Sequence, residues 1–303
     1  MVISTNITNM DLYKEVINLS KDKGITLNFH QYDDGERLGF AHYKKENKHI
    51  EIGILSSSIE DEAIWIHELL HTKAYLLDYP ISERCANIPM HPFMNKILES
   101  MQNTLHHVFV YREMKLLDVD QKHVDAPFLK FVENQIEKQI KEPMEGIGRL
   151  ALVFNLLEAY VRDEVSTKEI IRKILGTHET ELRLFNFAKD VVDTITSPLE
   201  MRNGYVSLLK MIDDFVKDET NEQLNLNVIV RVDAIITEEI LNTKASDIFT
   251  AVRINNFPHD FVLDKRDNQC SWFLSQGDKA LPKNYINFLL SESTVEEFII
   301  QLR

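Results

Sequence analysis

The first third of the chain shows two kinds of hydrophobic spacing. Apolar residues recur at helical intervals from about residue 9 to residue 23, which predicts an amphipathic helix that ends near Gly24. Three later stretches alternate apolar and polar residues, the pattern of strands with one buried face. They are residues 25–29, 38–43 and 50–54. We therefore expect a helix followed by a small antiparallel sheet.

A helix that is apolar on most sides is predicted after these strands. Its apolar positions are Ile59, Ala63, Ile66 and Leu70, widened by Trp65 and Leu69. The serines before it can begin the helix in two ways. Ser57 can form a capping box with Glu60, or Ser58 can be the N-cap with Asp61 three residues on. Either start places acidic residues in the first turn, which suits the helix dipole.

Most of the remaining chain has helical spacing. The predicted helices cover residues 93–117, 128–141, 147–163, 168–175, 179–196, 199–217 and 223–241. The last part alternates again and predicts strands at 248–253, 261–263 and 271–274, followed by a final helix at 295–302. The predicted fold class is α+β and predominantly α-helical.

Composition limits the partners. The 303 residues include 34 Lys+Arg and 48 Asp+Glu, a formal net charge of −14, which argues against nucleic acid or an anionic membrane as the main partner. Cys85 and Cys270 lie outside any CxxC pattern, so neither a disulfide framework nor a thiolate metal site is indicated. The sequence shows neither a signal-peptide pattern nor an apolar stretch of bilayer length. We expect a soluble cytoplasmic protein.

The strongest candidate chemistry lies at residues 67–71, which read His-Glu-Leu-Leu-His, an HExxH pattern. Histidines four apart project from one face of a helix, so His67 and His71 can both reach one metal ion at about 2.0–2.1 Å. This spacing suits Zn²⁺. Glu68 is offset by one position and would lie beside a metal-bound water, where it can act as a general base.

A catalytic zinc site needs a third protein ligand and an open position for water. The helix predicted at 93–117 is the best source, because polar residues follow one another on its other side at helical spacing. These residues are Glu99, Asn103, His106 and His107. Spacing alone leaves His107, Glu99 and His106 as candidates.

With these residues the sequence resembles the zincin metallopeptidases and, more loosely, compact bacterial gluzincin-like peptidases of the ImmA/IrrE type. The resemblance implies a small sheet, an HExxH helix and a second helix that donates the last ligand. In the gluzincin pattern that ligand is a Glu, and a polar residue one turn later orients a metal-bound His, which maps onto Glu99 and Asn103. The segment Asn103-x-x-x-His107 is also similar to one in bacterial HExxH proteins, which implies His107 as the ligand with Asn103 beside it.

Of these readings we prefer His107, then Glu99 and then His106. Tyr111, one turn after His107, could stabilise an oxyanion, although an ordinary interfacial tyrosine fits the pattern as well. Glu158 is interpreted as a surface or structural carboxylate. The resemblance covers residues 9–125. The predicted domains are accordingly a zincin-like metallopeptidase domain at 1–125, a helical accessory region at 126–245 and a small α+β element at 246–303.

The function that these observations predict is a zinc metallopeptidase, an endopeptidase that cleaves an intracellular protein or peptide. An edge of the small sheet could receive an extended peptide as a further strand. The alternative is a catalytically weak zincin scaffold that acts as a sensor or regulatory module, with a regulatory partner bound through the helical region. Hydrolysis of a non-peptide bond also stays open.

Overall fold

The computed structural model of this chain describes residues 5–33, 35, 38–85, 88–142, 145–174, 177–253, 259–275 and 285–302. It is mixed α+β and 63% helical with small sheets, which confirms the coarse fold class. Two compact units divide the chain. Unit 1 comprises Met1–Tyr79, Asn103–Pro143 and Leu152–Phe185, and unit 2 comprises Pro80–Gln102, Met144–Ala151 and Asn186–Arg303. Neither unit is one continuous stretch, and the division predicted at residues 125 and 245 stays a prediction.

Unit 1 begins with two helices and a three-stranded sheet. The helices are α1 (Thr5–Asn9) and α2 (Asp11–Asp22), and the strands are β1 (Thr26–Tyr32), β2 (Gly39–Lys44) and β3 (His49–Leu55). The strand order is β1-β3-β2. A short turn joins β2 to β3 as an antiparallel hairpin, but β1 pairs with the other side of β3 and runs parallel to it.

The expectation of an antiparallel sheet is therefore wrong for one of the two strand pairs. Alternation identifies a strand and its buried face, but it carries no information about which neighbour the strand pairs with or in which direction. The buried face of β3 is well defined, because Ile50, Ile52 and Ile54 are all inaccessible to solvent.

Helix α3 (Glu62–Leu76) covers this sheet and carries the HExxH residues. Ile64 and Trp65 of α3 pack with Ile54 of β3 in one apolar cluster. The helix begins later than either serine-based start predicted, because Ser56–Ser58 forms a separate 3-10 turn. Asp61 is the N-cap, and its carboxylate accepts hydrogen bonds from the backbone N–H groups of the next turn.

Five further helices of the described residues lie wholly or partly in unit 1. They are α4 (Pro92–Leu116), α5 (Lys122–Lys141), α6 (Gly148–Arg162), α7 (Glu164–Arg172) and α8 (Glu179–Asp193). Helix α5 starts six residues before the predicted position and includes Pro127. Helix α7 starts earlier than predicted because Asp163 caps it, and residue 175 of the predicted helix lies outside the described residues.

Unit 2 contains a helix that the sequence predicts well and a region that it predicts wrongly. Helix α9 (Pro198–Thr220) begins with Ser197 as N-cap. The helix expected at 223–241 is instead α10 (Leu226–Ile229), strand β5 and α11 (Glu238–Leu241). Strand β5 (Val230–Val232) pairs with β4 (Ser82–Arg84), a partner far away in sequence. Its β-branched residues suit a strand, and this pairing outweighs the local helical spacing.

The C-terminal part of unit 2 has the strands that alternation predicts. They are β6 (Phe249–Arg253), β7 (His259–Asp264) and β8 (Gln269–Ser275), and they form an antiparallel sheet in that order. Helices α12 (Ala245–Ile248), α13 (Tyr285–Glu292) and α14 (Val295–Leu302) pack on it; α14 confirms the predicted final helix, and α13 was not predicted. Among the described residues, no helix has both the length and the apolar character needed to cross a bilayer.

A buried arginine joins several segments of unit 2. The guanidinium of Arg202 on α9 donates from Nε and Nη2 to Asp267, at 2.7 and 3.1 Å. Nη1 donates to the backbone carbonyls of Val232 and Asp233, at 2.6 and 2.7 Å, and Nη2 also contacts Ser271 Oγ at 3.3 Å. Arg202 is 1% exposed. We call this group the Arg202 cluster.

Candidate metal centre

The side chains of His67 and His71 lie next to each other on one face of helix α3. The two histidines are one turn apart, their ring centroids are 4.8 Å apart and their Nε2 atoms are 3.2 Å apart. Both side chains keep some exposure to solvent, whereas the helix around them is mostly buried. The predicted common face of the HExxH histidines is therefore present, and it remains accessible from outside.

His107 on α4 completes a group of three imidazoles. Its ring centroid lies 5.0 Å from that of His67 and 5.0 Å from that of His71. One nitrogen from each ring lies within 4.8 Å of the others, an arrangement that could hold a metal ion. We call His67, His71 and His107 the histidine cluster. Two helices that are distant in sequence thus supply its donors.

The other residues considered as third ligand or as its neighbour lie elsewhere. Glu99 and Asn103 are exposed on α4. His106 is buried and stacks on His71 with a centroid distance of 6.2 Å, and its ring also lies 5.3 Å from that of Tyr75. Among the described residues, the set that could hold a metal contains His107 and neither Glu99 nor His106.

The separation of two of the three donor nitrogens fits tetrahedral binding of a metal ion. Two nitrogens bound tetrahedrally at about 2.0–2.1 Å from zinc are about 3.3 Å apart, and the Nε2 atoms of His67 and His71 are separated by 3.2 Å. Burial lowers the pKa of both histidines well below the usual value, and the neighbouring histidines add to this effect. Both rings are therefore neutral near pH 7 and keep the lone pair that a metal needs.

Glu158 on α6 contacts the His107 ring, with a distance of 2.6 Å between Nδ1 of the ring and Oε1 of the carboxylate. Burial alone would raise the pKa of Glu158, but His107 and Arg162 outweigh it and hold that pKa well below its usual range. Glu158 is therefore a carboxylate that accepts a hydrogen bond from Nδ1, which leaves Nε2 as the ring nitrogen of His107 available to face a metal.

Of the two interpretations of Glu158, a surface or a structural carboxylate, the surface one is wrong, since the residue is 6% exposed. Its role beside His107 was missed because the two residues are 51 positions apart. One signal was present in the sequence. Glu158 is the one charged residue in positions 150–161 of α6, which are mostly apolar, and Arg162 follows four residues later on the same face.

Arg162 connects Glu158 to two more buried side chains. Its Nε donates to Glu158 at 2.7 Å and its Nη1 donates to Asp125 of α5 at 3.0 Å. The Tyr111 hydroxyl donates to the same oxygen of Asp125 at 2.7 Å. Tyr111 in turn packs edge-on against the rings of His67 and His107, with centroid distances of 5.7 and 5.4 Å.

This arrangement bears on the oxyanion role considered for Tyr111. A stabilising donor must direct its hydrogen at the oxyanion, but the Tyr111 hydroxyl is engaged with Asp125. Burial raises the pKa of Tyr111, and the charge of Asp125 adds to this, so the hydroxyl stays protonated. The contacts of Tyr111 are those of a residue that packs against the histidine rings and anchors Asp125.

Glu68 lies between α3 and the sheet. It is 5% exposed and packs against Gly39 of β2 so closely that a Cβ at Gly39 would be 2.8 Å from its Cγ and Oε1. Burial raises the pKa of Tyr75, and the charge of nearby Glu68 adds to the effect. The Tyr75 hydroxyl donates to the Ala41 carbonyl of β2 at 3.4 Å. The absence of a side chain at Gly39 thus leaves the space that the Glu68 side chain occupies.

Comparison of this chain with models of protein families, with curated proteins and with solved structures finds no match. What can be said of the site follows from its own geometry. It is a group of three imidazoles that could hold a metal ion, with a buried glutamate next to one of them in sequence.

Proposed function

We propose that this protein is a zinc-dependent metallopeptidase, an endopeptidase that hydrolyses peptide bonds of an intracellular protein. The observation that carries the proposal is the convergence of three imidazoles from α3 and α4, together with the buried Glu68 of the HExxH pattern. Three protein ligands leave a fourth position for water, which is the arrangement of catalytic zinc sites. The cytoplasmic setting belongs to the same proposal and is supported by Cys85 and Cys270, both free thiols.

In this proposal His67, His71 and His107 hold the metal. When bound, zinc would polarise the scissile carbonyl and lower the pKa of a water molecule. Glu68 removes a proton from the attacking water and delivers it to the leaving amine. Its side chain packs closely against Gly39 of β2, which restricts the positions that the carboxylate can take.

The substrate backbone is proposed to add to β2. This strand is at one edge of the described sheet, with β3 as its neighbour there, and it carries the glycine that packs against Glu68. An extended peptide that pairs with a strand edge gains main-chain hydrogen bonds whatever its side chains are. Pairing at β2 would bring a peptide bond close to Glu68.

The first test measures metal and hydrolysis in the same preparations. Wild-type protein purified without chelators should contain about one zinc per chain and should cleave peptides from a fluorescence-quenched library. Glu68→Gln should keep the metal and lose about 10²–10⁴-fold of the activity, because the proton acceptor is gone. Glu62→Gln, on an exposed position in the first turn of the same helix, is the matched control and should behave as wild type.

The outcomes separate the hypotheses. Near-full hydrolysis by Glu68→Gln, or no metal in well-folded wild type, would contradict the proposal. Metal binding without cleavage of any peptide in the library would instead favour the alternative, a catalytically weak zincin scaffold that senses or regulates. In that case cells that carry Glu68→Gln should have the same phenotype as cells that carry the wild-type protein.

A further inference from the structure

One oxygen of the Glu158 carboxylate contacts His107, the third ring of the histidine cluster. Oε1 of Glu158 accepts a hydrogen bond from His107 Nδ1 at 2.6 Å and another from Arg162 Nε at 2.7 Å. The side chains of Glu158 and His107 are 8% and 9% exposed. Water therefore contributes little to holding this pair, and the orientation of the His107 ring depends on protein contacts.

We infer that Glu158 is a positioning residue of the metal centre, which fixes the tautomer and the ring plane of His107 so that Nε2 faces His67 and His71. The inference rests on the proposed function, because it presupposes that the histidine cluster binds a metal. It also makes α6 part of the metal centre, although α6 lies in the region that the sequence suggested to be accessory.

The way in which Glu158 uses its two oxygens supports this role. Oε2 is buried and has no hydrogen-bond partner among the described residues, whereas Oε1 accepts from both His107 and Arg162. A buried oxygen that lacks a partner is unfavourable, because it has lost its hydrogen bonds to water. A counter-ion for Arg162 alone could turn both oxygens toward the guanidinium as a two-point pair. The observed carboxylate instead shares one oxygen between Arg162 and His107.

Arg162 and Asp125 keep Glu158 in this position. Arg162 is fixed from its other side by Asp125 at 3.0 Å, and its guanidinium lies over the ring of Phe128 at 4.5 Å from the centroid. A carboxylate held by a fixed arginine cannot rotate freely away from His107. When a residue that accepts a hydrogen bond from a metal-ligating histidine is replaced, metal affinity typically falls about 10–100-fold.

The test is metal affinity, measured by competition with a chromogenic chelator, and not the activity of the loaded protein. Glu158→Gln keeps the size of the side chain but removes its charge, and we expect zinc to bind about 10–100-fold more weakly. We also expect the absorption spectrum of the cobalt-substituted protein to change. Glu169→Gln is the matched control. Glu169 is 73% exposed on the neighbouring helix α7 and forms a surface ion pair with Arg172.

A second variant covers the risk that Glu158→Gln destabilises the fold by leaving Arg162 with a buried charge. Glu158→Leu combined with Arg162→Met replaces the ion pair by apolar side chains, a change that buried pairs often tolerate. The double variant should fold, as judged by circular dichroism, and should still bind zinc about 10–100-fold more weakly, because His107 Nδ1 has lost its acceptor. A role limited to pairing with Arg162 predicts wild-type affinity instead.

The results distinguish the two proposals. Wild-type affinity in Glu158→Gln, or in the folded double variant, would overturn the positioning role and leave the metallopeptidase proposal standing. Absence of metal from folded wild type would overturn both. Weaker binding in both variants, with Glu169→Gln unchanged, would support the role of Glu158 even if no peptide substrate were cleaved.

Discussion

Two polar groups, the histidine cluster in unit 1 and the Arg202 cluster in unit 2, differ in chemistry. Each brings together polar groups from segments that are distant in sequence. In the Arg202 cluster every contact joins a donor to an acceptor, because the guanidinium nitrogens face carboxylate and carbonyl oxygens. In the histidine cluster, nitrogens of the same kind face each other, with 3.2 Å between Nε2 of His67 and Nε2 of His71.

This difference distinguishes a polar cluster that stabilises the fold from one that binds a ligand. A guanidinium has five N–H donors and no lone pair, so once its donors are paired it has nothing to offer a ligand. Neutral imidazoles that turn lone pairs toward one another gain from a cation between them. The Arg202 cluster is therefore expected to stabilise the fold, and the histidine cluster to bind.

The largest effect is expected from removal of one ring of the histidine cluster. His71→Ala leaves two protein ligands, too few for a stable catalytic zinc site, so zinc measured by atomic emission should fall from about one per chain to near zero. His42→Ala, an exposed histidine on β2, is the control and should keep the metal. Full zinc content in His71→Ala would mean that the metal lies elsewhere.

Replacement of Arg202 should lower the stability of the fold and leave the zinc content unchanged, the opposite of what is expected for His71. Arg202→Met leaves Asp267 and two backbone carbonyls without their buried donor, and we expect the free energy of unfolding to fall by about 3–5 kcal/mol. Urea unfolding followed by circular dichroism measures this change, and zinc content should stay at the wild-type level. Loss of zinc from the folded variant would break the distinction between the two clusters.

A smaller effect is expected from Gly39→Ala, which sharpens the comparison within unit 1. The new Cβ would lie 2.8 Å from Cγ and Oε1 of Glu68, so that side chain must move. Because displacement of a catalytic group by about 1 Å can cost 10²-fold, we expect hydrolysis to fall about 10–100-fold while zinc content is unchanged. An unchanged turnover number would show that Glu68 has more room than its packing suggests.

The smallest effect is expected at helix starts, where the two units use the same device. Asp61 caps α3 in unit 1, and Ser197 caps α9 in unit 2. Asp61→Ala and Ser197→Ala should each lower the free energy of unfolding by about 1 kcal/mol, read from the urea midpoint. An Asp61→Ala variant with full stability would favour a helix start set by the preceding serine turn.

The parts of the fold that depend on neighbouring residues could be predicted from the sequence. The spacing of apolar residues in α3, and the alternation in β3, encode an element and its buried face locally. Pairing between distant segments is not encoded in this way. Strand β5 was expected as helix because its partner β4 lies far away in the chain, and β1 was expected to be antiparallel because alternation does not set direction.

The same limit applies to the site. His67 and His71 could be placed on one face because both lie on one helix. His107 could be named only as one of three candidates, since helical spacing on α4 does not tell which side faces α3. Glu158 could not be connected to His107 at all, because the contact joins two helices and leaves only an isolated charge in an apolar run as its trace.

The separation of 51 residues between His107 and Glu158 has a consequence for the newly made chain. A ribosome adds about 5–20 residues per second, so roughly 3–10 s pass between synthesis of the histidine and synthesis of the carboxylate that contacts it. During that interval the nascent chain already contains all three histidines, but the carboxylate that contacts His107 has not yet been synthesised. If Glu158 positions His107 as inferred above, the complete metal centre can therefore form only after residue 158 has been synthesised.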